Sequence, residues 1–122
     1  MRVTVRARIN PTEDEEKVIK AIKNIFPNIE LLNDDEYLVG ESGALEDLSM
    51  LKVLIDAQSI RDSARKAIRN GKDGDGTRIH LNRQAAFVGK VNFSSDSPLG
   101  PIVVKIRGDL DDMLDYLAPS TL

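Results

Sequence analysis

The sequence predicts an α+β fold in which helices pack on one face of a mostly antiparallel sheet. Several short segments alternate apolar and polar residues, which is the period of a half-buried strand. Longer segments repeat apolar residues every three or four positions, as amphipathic helices do. Each predicted strand has only one apolar face, which favours an antiparallel or mixed sheet covered by helices on one side. At 122 residues the chain fits one domain, and we assign residues 1–122 to it.

The elements follow from these periods and from the turn residues between them. The sequence first predicts a strand at 2–9, a helix ending before Pro27, and a hairpin of strands 29–33 and 36–41. Two helices that meet at a bend near residue 59 follow, and then a glycine loop at 71–76. The last elements are strands at 77–82, 90–93 and 102–107 and a closing helix at 109–117. Residues 83–87 fit a single helical turn. Thr12 with Glu15 predicts a capping box for the first helix, and Ser59 with Asp62 a fresh cap for the third.

The net charge of −3 conceals an asymmetry along the chain. Residues 1–58 hold 7 Lys/Arg against 12 Asp/Glu, whereas residues 59–108 hold 10 Lys/Arg against 4 Asp/Glu. A basic segment indicates a polyanionic partner only where folding gathers its side chains on one face.

The composition excludes several classes of chemistry. The chain has no cysteine, which excludes disulfides, thiolate metal sites and a cysteine nucleophile and favours a reducing, cytoplasmic setting. His80, the single histidine, has no second imidazole or thiol for a metal or nucleophilic site. Asp73 and Asp75 begin like a calcium loop, but Thr77, Arg78 and Gln84 occupy the positions of its other ligands and its glycine. We therefore expect no catalytic residues, metal, cofactor or enzymatic activity, and no membrane segment.

Basic residues concentrate on the faces of the predicted strands opposite the core, and along one side of the third helix. Arg61, Arg65 and Arg69 recur at every fourth position, about 40° apart around the helix. The candidate RNA contacts are Arg6, Arg8, Arg61, Arg65, Arg69, Lys72, Arg78, Asn82, Arg83, Gln84, Lys90, Lys105 and Arg107. The alternative is a solvated face in which Glu30, Glu36 and Glu41 form cross-strand ion pairs with the arginines.

Aromatic residues are too few to favour single-strand stacking. Phe26, Phe87 and Phe93 all fit the core, and only Tyr37 and Tyr116 remain. Structured RNA, recognised through phosphate and shape, fits the composition better. A second hypothesis is a protein-interaction module or homodimer that docks another chain on the open sheet face or edge.

Several segments resemble a known family. The segments that carry the resemblance are the arginine-rich first strand, Pro11–Asp14, Ala57–Arg65, Ile79–Phe93 and Pro98–Ile102. Through them the chain resembles an archaeal family of small, functionally uncharacterised proteins described as predicted RNA-binding. A related group is described as predicted exosome-associated, and the family is similar in fold to the 5S-rRNA-binding ribosomal protein, in which helices pack on a curved sheet. The resemblance implies an archaeal cytosolic RNA binder without known enzymatic activity, with Arg61, Arg65 and Asn82-Arg83-Gln84 as candidate contacts. Alternatively, Asn82 and Gln84 hold the loop after their strand by bonding backbone groups.

Overall fold

Six strands and five α-helices form within residues 1–96 and 98–120, which the computed structural model of the protein describes. The strands are β1 (Arg2–Arg8), β2 (Leu31–Asp34), β3 (Tyr37–Ser42), β4 (Lys72–Asp73), β5 (Gly76–Leu81) and β6 (Ile102–Arg107). The helices are α1 (Glu15–Ile25), α2 (Ser49–Ala57), α3 (Arg61–Asn70), α4 (Arg83–Phe87) and α5 (Leu110–Leu117), with a 3₁₀ turn at Leu45–Leu48. The α+β prediction is confirmed.

The strands form one sheet in the order β2-β3-β1-β6-β5-β4, and every pairing is antiparallel. Alternate residues of the central strands are buried, such as Val3, Val5 and Ala7 of β1. The helices contribute the residues that pack against them, among them Ile22 of α1 and Ile68 of α3. Because the remaining residues of each strand, apart from Gly76, are exposed or half-buried, the helices cover one face and leave the other open, as predicted.

Helix α1 begins later than its capping box predicted. Asp14 is the N-cap, and its side chain accepts a hydrogen bond from the backbone N–H of Glu16 at 3.0 Å. The prediction of Thr12 as the cap is therefore wrong. Residues 10–13 form a separate turn, closed by the N–H of Glu13 on the carbonyl of Asn10, which delays the start of the helix.

The junction between α2 and α3 lies where predicted, but a different motif forms it. Ser59 takes a left-handed conformation with φ of 57°, and the N–H groups of Ser59 and Ile60 bond the carbonyls of Asp56 and Ile55. This pattern is a Schellman motif, which ends α2. Ile60 occupies the N-cap of α3 without a side-chain cap, so the prediction of Ser59 as a helix cap is wrong.

Two further predictions need correction. The glycine loop contains β4, whose residues Lys72 and Asp73 pair with Thr77 and Gly76 in a tight hairpin. Residues 90–93 form no strand; the segment is held by the side chain of Gln58 instead of a strand partner. The Gln58 amide donates to the Val91 carbonyl at 2.9 Å and accepts from the Val91 N–H at 2.8 Å.

Candidate nucleic-acid interface

The strand register fixes which side chains share the open face. Arg6 lies opposite Val39 and Val103, and Lys105 lies opposite Thr4 and Arg78. The open face carries Arg2, Thr4, Arg6 and Arg8 of β1, Tyr37, Val39 and Glu41 of β3, Arg78 and His80 of β5, and Val103, Lys105 and Arg107 of β6. The structure thus brings together Arg6, Arg8, Arg78, Lys105 and Arg107, five of the candidates.

The β1–β3 half of this face is largely neutralised. Arg2 pairs with Glu41 at 2.8 Å, and Arg8 pairs with Glu36 at 3.5 Å. The Arg6 guanidinium lies 3.8 Å from the centroid of the Tyr37 ring. The paired side chains are more than half exposed, so each pair contributes about 0–1 kcal/mol to stability. In this half the cross-strand pairing expected for a solvated face is what forms.

The β5–β6 half differs. Arg78 and Lys105 are exposed and lie directly opposite each other across the two strands. No carboxylate of the described residues comes within 4.0 Å of either cation, and Arg107 has only Asp75, at 3.9 Å between largely exposed side chains. Like charges directly opposite destabilise an antiparallel pair by up to about 1 kcal/mol. We call Arg6, Arg78, Lys105 and Arg107 the basic patch.

The arginine row of α3 lies in the helix layer, away from the basic patch. Arg61 forms an ion pair with Asp56, and Arg65 donates to the carbonyl of Ala118 at 2.8 Å. Helix α3 buries Ala64 and Ile68 against the core. Arg69 of this row and Lys72 of β4 are exposed. The structure does not join the two basic sets into one face.

Arg83 must be withdrawn as an RNA contact because it is buried, with 4% of its side chain exposed. Its Nη1 bonds both oxygens of Glu13 at 2.8 and 2.9 Å and the carbonyl of Arg8 at 2.8 Å. Its Nε donates to the carbonyl of Gly100 at 2.8 Å. Burial alone would raise the pKa of Glu13, but the hydrogen bonds from Arg83 and Asn10 outweigh it and lower that pKa below its ordinary value.

The neighbours of Arg83 have mixed roles. Asn82 is the N-cap of α4, and its Oδ1 accepts a hydrogen bond from the Ala85 N–H at 2.9 Å. This side chain therefore bonds a backbone group, which is the alternative given above to a contact with RNA. Gln84 is exposed beside it. Lys90 is also exposed, but it lies off the sheet because its segment is not a strand.

The phenylalanines are less uniform than predicted. Phe26 is fully buried, whereas Phe87 and Phe93 are only partly buried. Phe93 lines a groove of about 470 Å³ between α3 and residues 91–93, which the sequence did not reveal. The spacing of Ser63, Lys66 and Asn70 along α3 marks one wall, but nothing in the sequence signals the other.

Residues 1–96 and 98–120 contain neither a cluster of metal ligands nor a membrane-spanning helix. No group of three or more His, Asp or Glu side chains there could hold a metal ion. No helix within those residues is both long and apolar enough to cross a membrane.

Comparison with known proteins places the chain. A family model described as RNA binding matches residues 2–108. The chain belongs to this family. It is 40% identical over 131 residues to a UPF0201 protein of Aeropyrum pernix, covering 100% of this chain and 87% of the relative. It is 41% identical over 124 residues to a UPF0201 protein of Pyrococcus horikoshii, covering 98% and 90%.

A solved structure agrees with the fold. The crystal structure of a UPF0201 protein from Methanococcus jannaschii matches with a TM-score of 0.87 at 37% identity, covering 100% of this chain and 96% of that one. The predicted resemblance to an archaeal, uncharacterised RNA-binding family is therefore confirmed. The likeness to the 5S-rRNA-binding ribosomal protein and to exosome-associated proteins stays a prediction.

Proposed function

We propose that the protein is a cytoplasmic RNA-binding protein that holds structured RNA on its basic patch and performs no chemistry on it. The observation that carries this proposal is the exposed pair Arg78 and Lys105, directly opposite each other and without a carboxylate partner among the described residues. Holding like charges together opposes folding, and a bound phosphate would relieve that repulsion.

Several features favour double-stranded or folded RNA. Proteins recognise such RNA mainly through phosphates and shape, for which cations on a sheet surface suffice. Tyr37, the aromatic residue of the open face within the described strands, is already stacked against Arg6 at 3.8 Å. Because the net charge is −3, attraction to RNA depends on the local patch and not on the whole molecule.

The test is the salt dependence of binding, measured by fluorescence anisotropy with a labelled RNA hairpin. Each neutralised phosphate contributes about 0.7–0.9 to the slope of log K against log salt. We expect Arg78→Gln/Lys105→Gln to lower the affinity and to reduce that slope by about 1.4–1.8. Lys17→Gln/Lys52→Gln is the matched control, because it removes two exposed helix charges away from the patch.

A flat salt response of the unmodified protein would overturn the proposal. An equal loss in the patch variant and the helix control would leave RNA binding in place but remove the basic patch as its site.

A second candidate is a protein-interaction or homodimerisation module. Strand β2 is an edge of the sheet, and Leu32 on it is 74% exposed. An exposed apolar side chain on an edge strand favours pairing with another chain. Light scattering of the unmodified protein and of Leu32→Asp tests this: a dimer that the substitution dissociates supports it, and a monomer at high concentration counts against it.

A further inference from the structure

The groove between α3 and residues 91–93 has the dimensions of a ligand site. Its volume is about 470 Å³, within the range of about 300–1,000 Å³ usual for small-molecule sites. Three other surface pockets have volumes of only about 190, 220 and 160 Å³. Size therefore separates this groove from those three.

The lining combines apolar and polar groups. The apolar part consists of Ile60, Ala67, Val91 and Phe93, and the polar part of Ser63, Lys66, Asn70 and Asn92. No carboxylate from residues 1–96 or 98–120 lines the groove, and Lys66 supplies a positive charge. A primary amide both donates and accepts hydrogen bonds, as the edge of a nucleobase does. Such a lining suits a flat, hydrogen-bonding ligand that carries a negative charge.

The polar groups are available for a ligand. Lys66, Asn70 and Asn92 are exposed, and their side chains make no hydrogen bond or ion pair with another residue of the described chain. Asn82 and Asn92 are also tied through their backbones, with the N–H of Asn82 bonding the carbonyl of Asn92 at 2.8 Å. Together with the Gln58 bonds to Val91, this contact holds the wall in place before any ligand arrives.

We propose that this groove binds one unpaired nucleotide of the RNA, with the base against Phe93, its edge on Asn70 and Asn92, and its phosphate near Lys66. This inference rests on the proposed function. Because the groove lies in the helix layer, away from the basic patch, the RNA class it names is a folded RNA that is long enough to reach both and has a bulged or looped-out base. Unstacked bases are the usual targets of specific RNA recognition, through stacking on aromatic rings and hydrogen bonds to their edges.

Two RNAs of the same stem test the proposal, one fully paired and one with a single-nucleotide bulge. We expect the unmodified protein to bind the bulged RNA about 5-fold to 150-fold more tightly, the range for stacking of one base. Asn70→Ala/Asn92→Ala should reduce that preference, because the hydrogen bonds to the base edge are lost, and leave the affinity for the paired stem unchanged. Lys66→Gln should weaken the bulged RNA more than Lys17→Gln, a matched removal of an exposed helix lysine, does.

A second measurement guards against misfolded variants. In the unmodified protein, the side-chain amide resonances of Asn70 and Asn92 should shift on addition of the bulged RNA and not of the paired stem. Equal affinity for both RNAs, or amide resonances that do not respond to the bulge, would overturn the groove while leaving RNA binding intact. Failure of both RNAs to bind would overturn the proposed function and the groove together.

Discussion

Arg83 and Glu13 form an ion pair with 4% and 10% of their side chains exposed. The same guanidinium bonds the carbonyls of Arg8 and Gly100, so one side chain connects β1, the turn before α1 and the loop before β6. A buried pair contributes little relative to apolar packing, but removal of one partner leaves an uncompensated charge. The residue therefore holds several segments in place.

We expect Glu13→Gln to lower the free energy of unfolding at pH 7 by about 3 kcal/mol, because the Arg83 charge loses its buried counterion. Urea denaturation measures the change. Glu30→Gln is the control: Glu30 is exposed and makes no ion pair with the described residues, so it should change stability by less than about 0.5 kcal/mol. Equal losses in the two variants would show that the Arg83–Glu13 pair has no special role.

The same pair predicts a pH dependence. Hydrogen bonds from Arg83 and Asn10 outweigh burial and hold the pKa of Glu13 below its ordinary value of 4.5. A carboxylate with a lowered folded-state pKa adds stability above its unfolded pKa, and that stability is lost as the pH falls through the folded pKa. The difference between the unmodified protein and Glu13→Gln should therefore narrow below pH 4.5. A constant difference down to pH 2.5 would contradict this account.

The role of Arg83 could not be predicted from the sequence. Its partners Glu13, Arg8 and Gly100 are 70, 75 and 17 positions away, so no local spacing reveals them. Arg78 and Lys105 were predictable, because the alternation of their strands places both side chains opposite the core. Local periodicity assigns a face, whereas an individual ion pair depends on distant chain segments.

At the scale of elements, the Gln58 side chain supplies hydrogen bonds that a neighbouring strand would otherwise supply. Its side-chain amide bonds both backbone groups of Val91, a residue only 4% exposed. A buried peptide group without partners is unfavourable, so this side chain, together with the bond from the Asn82 N–H to the Asn92 carbonyl, keeps residues 91–93 against the fold. It also positions one wall of the groove.

We expect Gln58→Ala to destabilise the protein by about 2–3 kcal/mol, since two backbone groups lose their partners. The N–H of Val91 should exchange with solvent faster than in the unmodified protein, which amide hydrogen exchange by NMR measures directly. Gln84→Ala, at an exposed position of α4, is the comparison and should have little effect on either quantity. Unchanged exchange at Val91 would show that Gln58 does not hold the segment.

At the α2–α3 junction, in contrast, a substitution should stabilise the protein. Ser59 has a φ of 57°, a region that disfavours residues with a side chain by about 1–2 kcal/mol. Glycine removes that strain but loses more entropy on folding. We expect Ser59→Gly to raise the free energy of unfolding by up to about 1 kcal/mol, measured by urea denaturation. Ser59→Ala retains the strain and serves as the control; a stabilisation equal to that of glycine would contradict the argument.

The order of elements followed from the sequence because most strands and helices have clear apolar periods. The predicted strand at 90–93 is wrong, since a side-chain amide can satisfy an extended segment and leaves no periodic signal. The misplaced caps of α1 and α3 have a related cause. Ser, Thr and Asp residues cluster near both helix starts, but local turns decide where each helix begins. The turn at residues 10–13 leaves Asp14 as the cap of α1, and the Schellman motif leaves Ile60 at the start of α3 without a side-chain cap.

The whole molecule distributes its basic residues over two layers. The sequence asymmetry between residues 1–58 and 59–108 is real, but folding places part of the basic segment on the open sheet face and part in the helix layer. In the helix layer Arg61 and Arg65 have partners, whereas on the sheet Arg78 and Lys105 have none within the described chain. Charge counted along the chain cannot distinguish these situations.

This difference predicts opposite effects of removing charge in the two layers. Arg61→Gln/Arg65→Gln should lower the free energy of unfolding by about 1–2 kcal/mol, because an ion pair and a charged hydrogen bond are lost. Arg78→Gln/Lys105→Gln should leave it unchanged or raise it by up to about 1 kcal/mol, because a like-charge cross-strand pair disappears. Urea denaturation of both double variants, at equal and low salt, measures these changes.

The order of the two double variants in RNA affinity should be the reverse of their order in stability. The sheet variant should bind RNA more weakly than the helix variant, although both have lost two positive charges and share the same net charge. A surface adapted only for folding would not retain a destabilising pair of cations. If the surface binds RNA, the sheet variant should therefore gain stability and lose RNA affinity together. Should the helix variant lose the RNA affinity while the sheet variant keeps it, the contact surface would lie on α3 and not on the open face.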